Sequence, residues 1–163
     1  MDRKYKLPHK RRRKKKTDYK LRLSLLKSGK ERLVIRRSNK NIMGQIIKYE
    51  RDGDKTVTSA HSNMLKKFGW KRSCGNIPAA YLTGLLLGKK AQKEGVKKAV
   101  IDIGLQINSP GSRIYSFLKG ALDAGLDVNH SKEIIPKEER IKGKHMDEKV
   151  EKDFESTKKK IMK

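Results

Sequence analysis

Seven cations run without interruption from Lys10 to Lys16, in the stretch KRRRKKK. Side chains of this type at this density do one kind of chemistry: they neutralise phosphates or other closely spaced anions. The run is compatible with a targeting address, an anchor on an anionic membrane, or an arm that holds nucleic acid. Elsewhere the residues able to do chemistry stand apart from one another. Asp102 sits in VIDIG, His61 in SAHSN, Ser112 and Arg113 in SPGSR, and Cys74 is the sole cysteine.

A strand carboxylate such as Asp102 invites comparison with a two-metal nuclease, which needs several convergent acids to hold two divalent ions. Between residues 55 and 122 the only acids are Glu94 and Asp102, so Asp102 reads as a buried, paired acid. The four histidines, His9, His61, His130 and His145, show no ligand spacing. His61, at a strand end, is expected to bond backbone or phosphate. SPGSR lacks the Walker spacing and G-x-G-x-x-G; it reads as a helix start where free N–H groups, Ser112 and Arg113 can receive a phosphate of a larger polyanion. Cys74 can form no intrachain disulfide and reads as a small buried hydrophobe in a reducing compartment. No catalytic constellation, metal site or cofactor is expected.

The charge balance names the partner's class. Forty-three Lys and Arg against 18 Asp and Glu give +25, distributed as +15 over residues 1–40, +7 over 41–130 and +3 over 131–163. Such an excess repels itself in a compact chain and calls for a polyanion alongside. A membrane anchor would interleave Trp, Phe or Leu with its cations, and residues 9–16 contain none. The most apolar segment, AAYLTGLLLG, is ten residues long, too short to span a bilayer. No secretory stretch is visible, so the chain is expected to be soluble and intracellular. An address alone leaves Arg36, Arg37, Lys40, Lys66, Lys67, Lys71 and Arg72 unexplained. No helix-turn-helix or zinc-finger pattern marks a DNA reader. Structured RNA fits best: cations meet phosphates while an arm orders between helices. Tyr5, Asn39, Asn41, His61 and Trp70 are flat or amide side chains able to add base or sugar contacts, Trp70 serving a core equally well.

The elements that must position these groups follow from periodicity. Residues 1–16 lack hydrophobic periodicity and predict an extended arm. Thr17 is the expected N-cap of a short amphipathic helix with Tyr19, Leu23 and Leu26 on one face. Strands are predicted at Leu33–Ile35, Ile42–Tyr49 and Thr56–Ala60, separated by Ser38–Asn41 and Asp52-Gly53 turns: an antiparallel meander. Asn76 caps a helix that tolerates Pro78 and ends at Gly95. KKAVIDIGL is a buried strand, Ser109–Ser112 opens a helix closed by Gly125, and Leu126–Val128 adds an edge strand. This order predicts an α/β fold, a mixed sheet of meander plus parallel strand with helices on its faces. The domain plan is a basic arm (1–16), a core (17–130) and a charged helical extension (131–163). In the extension, Met146, Val150 and Phe154 form a docking stripe rather than core.

Five runs in this order, RLVIRRSNKNIMGQII, SAHSNMLKKFGWK, GNIPAAYLTGLLLGKKA, AVIDIGL and GSRIYSFLKGALDAGLDVNHS, resemble the family of large-subunit ribosomal protein eighteen, whose eukaryotic counterpart is large-subunit ribosomal protein five. The resemblance covers roughly Asp18 to His130, and EIIPKEERIKGKHM is similar to the tail of the archaeal and eukaryotic branch. It implies a three-layer α/β/α fold and a non-enzymatic, cytoplasmic component of the large subunit. It implies, further, binding to 5S rRNA and its attachment to the large rRNA in the central protuberance, beside neighbouring ribosomal proteins. RNA contacts carry over to Arg36, Arg37, Ser38, Asn39 and Lys40 at the first hairpin, and to His61 and Ser62. They carry over also to Lys67, Trp70 and Lys71, and to Gly111, Ser112 and Arg113. Lys10, Arg11, Arg12, Arg13, Lys14, Lys15 and Lys16 match by composition.

Overall fold

The computed structural model describes residues 6–146 and 148–162; Tyr5, a candidate base contact, lies outside them. Five strands form one mixed sheet in the order β3-β2-β1-β4-β5. The meander is β1 (Glu31–Arg37), β2 (Ile42–Glu50) and β3 (Gly53–His61), with β1 and β2, and β2 and β3, antiparallel. Helix α3 (Ile77–Lys93) crosses to β4 (Lys98–Asp102), parallel to β1, and α4 (Arg113–Asp123) crosses to the two-residue edge strand β5 (Asp127–Val128), parallel to β4.

Alternation along β1 assigns its two faces. Leu33 and Ile35, paired with Ile46 and Gly44, turn toward α3 and α4. Those two helices meet at glycines: a Cβ at Gly88 would lie 2.5 Å from that of Ala124, and a side chain at Gly84 would strike the Phe117 carbonyl. Helix α3 is thereby buried nearly all round, and its Asn76 cap accepts the Ala79 N–H at 2.9 Å. Arg32, Val34 and Arg36 face the other way. Across them lies α2 (Tyr19–Leu26), over a cavity of about 520 Å³.

Three expectations change. The N-cap of α2 is Asp18, not Thr17: its carboxylate accepts the N–H groups of Lys20 and Leu21 at 2.9 and 3.1 Å, which a charged acceptor does better than a hydroxyl. The face of α2 turned to the sheet carries Arg22 and Leu25, leaving Leu23 58% exposed. The arm is not extended throughout, because Lys10–Arg13 form a one-turn helix, α1. Lys15, at φ 50°, lets the Lys16 N–H return to the Arg11 carbonyl, and the turn is tied down by Arg11 Nε donating to Thr17 Oγ1 at 2.8 Å and by the His9 ring against Tyr19.

The extension is core at its far end. Helix α5 (Glu138–Lys142) is followed by α6 (Glu148–Met162), whose Val150, Phe154, Thr157 and Ile161 are buried, Phe154 with its ring against Tyr81. The stripe docks on this chain's own α3, and Met146 stands exposed before it. Apolar burial drives that seat, since Val150, Phe154 and Ile161 share one helix face.

Candidate nucleic-acid interface

The β1–β2 turn is a rigid projection. Ser38 donates its N–H to the Asn41 carbonyl at 2.8 Å, and its Oγ accepts the Asn41 N–H at 3.1 Å. Ser38 and Asn41 thus close the turn on itself, and Arg37, Ser38, Asn39 and Lys40 are all exposed. The predicted turn residues close it because Ser and Asn hydrogen-bond their own backbone.

Residues singled out separately in sequence converge behind that turn. Arg113 donates from one guanidinium nitrogen to the carbonyls of Gly75, Ser38 and Asn39, at 2.7, 3.3 and 3.4 Å. One nitrogen of its guanidinium is thus given to the turn. Gly75 is the seat on which the turn rests, since a Cβ there would lie 2.8 Å from the Asn39 carbonyl oxygen. Ser62 is fully buried; its Oγ accepts the Ile42 N–H and bonds Asn41 Oδ1, each at 3.2 Å. His61 bonds backbone as expected, its Nδ1 accepting the Asn63 N–H at 3.1 Å and capping a 3-10 turn over Ser62–Phe68 that sequence reading missed.

Trp70 is a core residue. It is 2% exposed and donates its indole N–H to the Ser73 carbonyl at 3.1 Å, which leaves no ring face for a base. Through Ser73, whose Oγ accepts the Gly75 N–H at 3.3 Å, it stiffens the seat under the turn. Lys67 and Lys71 flank this segment and are exposed. Gly111, at φ 68°, starts the turn into α4 by donating its N–H to the Ile134 carbonyl, while Ser112 Oγ is buried there without a hydrogen bond.

Asp102 anchors an ion network on the α2 face. Its carboxylate accepts from Arg32 at 3.0 Å, Arg36 at 3.2 Å and the Gly104 N–H at 2.9 Å. Arg32 also meets Asp54 at 2.5 Å, which pairs in turn with Arg22. Both carboxylate oxygens of Asp102 are engaged by the protein, as expected of a buried, paired acid. Arg36 is half consumed by the same network, donating also to the carbonyls of Ile35 and Asp102. Gln106 completes the support: its amide donates to the Ile35 and Ile103 carbonyls, and its oxygen accepts the Arg37 N–H. Sequence reading found neither Gln106 nor Arg32, because both act across more than sixty residues of chain.

Cations and phenols complete the electrostatics. The α1 cations Lys10, Arg11, Arg12 and Arg13, and Lys14, Lys15 and Lys16 after them, are all exposed. Tyr81 donates to Asp123 at 2.8 Å, and burial first, then that bond, holds its phenol protonated well beyond the ordinary range. Among the described residues no group of three His, Cys, Asp or Glu side chains is placed to hold a metal ion, and no helix is long and apolar enough to cross a membrane.

A cationic turn and an exposed basic arm on a chain of net charge +25 suit a polyanionic partner. Residues 3–99 and 89–131 match the family described as ribosomal large subunit proteins 60S L5 and 50S L18. Large ribosomal subunit protein uL18 of Methanococcus maripaludis is 53% identical over 146 residues, covering 90% of this chain and 76% of that protein. The protein of the same name from Halobacterium salinarum is 51% identical over 147 residues, covering 90% of this chain and 80% of its own length. The chain therefore belongs to the L5/L18 family of large-subunit ribosomal proteins, and it is a structural constituent of the ribosome rather than an enzyme.

Proposed function

We propose that the chain binds 5S rRNA and fastens it to the large rRNA in the central protuberance. The observation that carries this reading is the β1–β2 turn, an exposed cationic tip whose backbone is immobilised by Arg113, Gly75 and Ser62. Preorganisation matters, because a tip already ordered loses little entropy on meeting RNA. In this reading Arg37 and Lys40 contact phosphates, Ser38 and Asn39 add sugar or base contacts, and Lys67, Lys71 and His61 extend the surface. Arg36 contributes its half-exposed edge. Arg113, Ser62 and Trp70 work from behind by positioning, and Gly111 and Ser112 set the start of α4. The arm, from Lys10 to Lys16, supplies charge toward the second RNA.

Crosslinking the chain to RNA in assembling large subunits, followed by sequencing of the recovered RNA, tests the reading. Recovery of 5S rRNA, lost on replacing Arg37 and Lys40 together with Ala, is expected. Recovery of unrelated RNA fragments alone would sink it. Deleting residues 1–16 should lower both affinity and the steepness of the salt dependence, since each cation on a phosphate releases a counterion.

A further inference from the structure

In sequence the residues of α6 alternate in sign, but the helix sorts them by flank. With 3.6 residues per turn, Lys149, Lys152, Ser156 and Lys160 fall on one side of the buried Val150–Phe154–Ile161 stripe, and Lys159 stands beside Lys152 on the outward face. Glu151 and Glu155 fall on the other, with Lys158, whose Nζ sits over the Tyr81 ring. Lys149, Lys152, Lys159 and Lys160 are exposed.

The lysine flank is the one turned toward the chain after β3. Arg72 Nε meets Asp153 Oδ2 at 2.9 Å, and Lys71, Arg72, Lys149 and Lys152 line a shared depression. Farther along, a Cβ on Gly69 would lie 3.0 Å from Lys160 Nζ. Lys71 and the four exposed α6 lysines thus make a strip about 16 Å long, at about 1.5 Å of helix per residue. The acid within it, Asp153, is already paired with Arg72. Like charges held this close by folded elements favour a polyanion. Lysines without interleaved apolar side chains suit a phosphate backbone, which is contacted by charge and carries no sequence information.

We propose that this strip binds the phosphate backbone of ribosomal RNA, as a second contact additional to the β1–β2 turn. The inference rests on the RNA-binding reading above, and gives the tail helix a role outside the region matched by the family. Since the lysines are exposed and the buried stripe is untouched, the full-length variant Lys152→Gln, Lys159→Gln, Lys160→Gln keeps its fold.

The test measures affinity for archaeal 5S rRNA and for archaeal large-subunit rRNA between 50 and 200 mM salt. At 0.7 to 0.9 counterions per phosphate contact, loss of three contacts lowers the log–log slope by about 2 to 3. From 50 to 200 mM salt, wild type should then lose about 20- to 40-fold more affinity than the variant on at least one RNA. The control removes three exposed lysines elsewhere, Lys93→Gln, Lys97→Gln and Lys98→Gln, and should keep the wild-type slope. Wild-type behaviour of the α6 variant on both RNAs overturns the inference, as it would if an acidic protein covered the strip. So does equal flattening by the control, which would make the effect one of net charge. If Arg37→Ala with Lys40→Ala abolishes 5S binding while the α6 variant binds normally, only the strip fails. If the α6 variant flattens the slope on large-subunit rRNA while the turn variant still binds 5S rRNA, the strip stands and the turn fails.

Discussion

Removing the carboxylate of Asp102 should destabilise the domain severely while leaving the exposed turn residues Arg37 and Lys40 untouched. The residue is 8% exposed and neutralises Arg32, itself 3% exposed, while also receiving Arg36 and the Gly104 N–H. In Asp102→Ala, Arg32 keeps only Asp54, which it shares with Arg22, and its Nε already lacks a partner. Breaking a buried pair from one side costs about 3–5 kcal/mol, and the surviving Asp54 contact places this case near the lower end, about 3 kcal/mol. For a chain of this size that lowers Tm by about 6–12 °C. Urea and thermal unfolding followed by circular dichroism read both numbers. Arg36→Ala should cost less than about 1 kcal/mol, because its side chain is 42% exposed and solvent screens the pair. The double variant Arg32→Met, Asp102→Leu should recover most of the loss, because apolar replacement of a whole buried pair is often neutral. An Asp102→Ala protein within 1 kcal/mol of wild type, or a double variant no better than the single, would refute this account of the network.

Arg113→Ala should loosen the turn and weaken RNA binding: faster amide exchange at Lys40 and Asn41 would show the loosened turn, and unchanged exchange would refute the positioning role. Gly84→Ala should cost more than about 3 kcal/mol or block folding, because its Cβ meets the Phe117 backbone, whereas Gly29→Ala, in open space at φ 65°, should cost about 1–2 kcal/mol; chemical denaturation separates the two. Tyr81 keeps its proton in the fold while the unfolded chain releases it near the ordinary value of 10.0. Its contribution is therefore complete below that pH and declines as pH rises above it, and ultraviolet phenolate titration should show Tyr81 ionising only with unfolding. Tyr81→Phe should flatten the stability loss above pH 10.

Local chemistry was legible in the chain wherever its cause was local. The turn at Ser38–Asn41, the Asn76 cap with Pro78 behind it, and the helix stops at Gly95 and Gly125 depend on neighbours within a few residues, and each stands where expected. The mixed sheet followed from a meander feeding a crossover. The N-cap moved by one residue because Thr17 and Asp18 both qualify and the stronger acceptor prevailed. The 3-10 turn over Ser62–Phe68 escaped notice because its cap is a histidine ring nitrogen rather than a hydroxyl or carboxylate.

Composition and order of residues by themselves determined that the partner is a polyanion, that the sheet is mixed, and to which family the chain belongs. Net charge and element order are properties of the string, and neither requires knowing what touches what. Tertiary structure alone decided which cations remain available. Arg32, Arg36 and Arg113 look equivalent to Arg37 and Lys40 in sequence, yet two are drawn inward by Asp102 and the third by three carbonyls. The same holds for the tail, where alternating charges become a lysine-rich flank and a mixed one only once Val150, Phe154 and Ile161 fix the helix against α3. An unpaired charge cannot be buried cheaply, so each cation's fate is settled by partners that the fold brings from far along the chain.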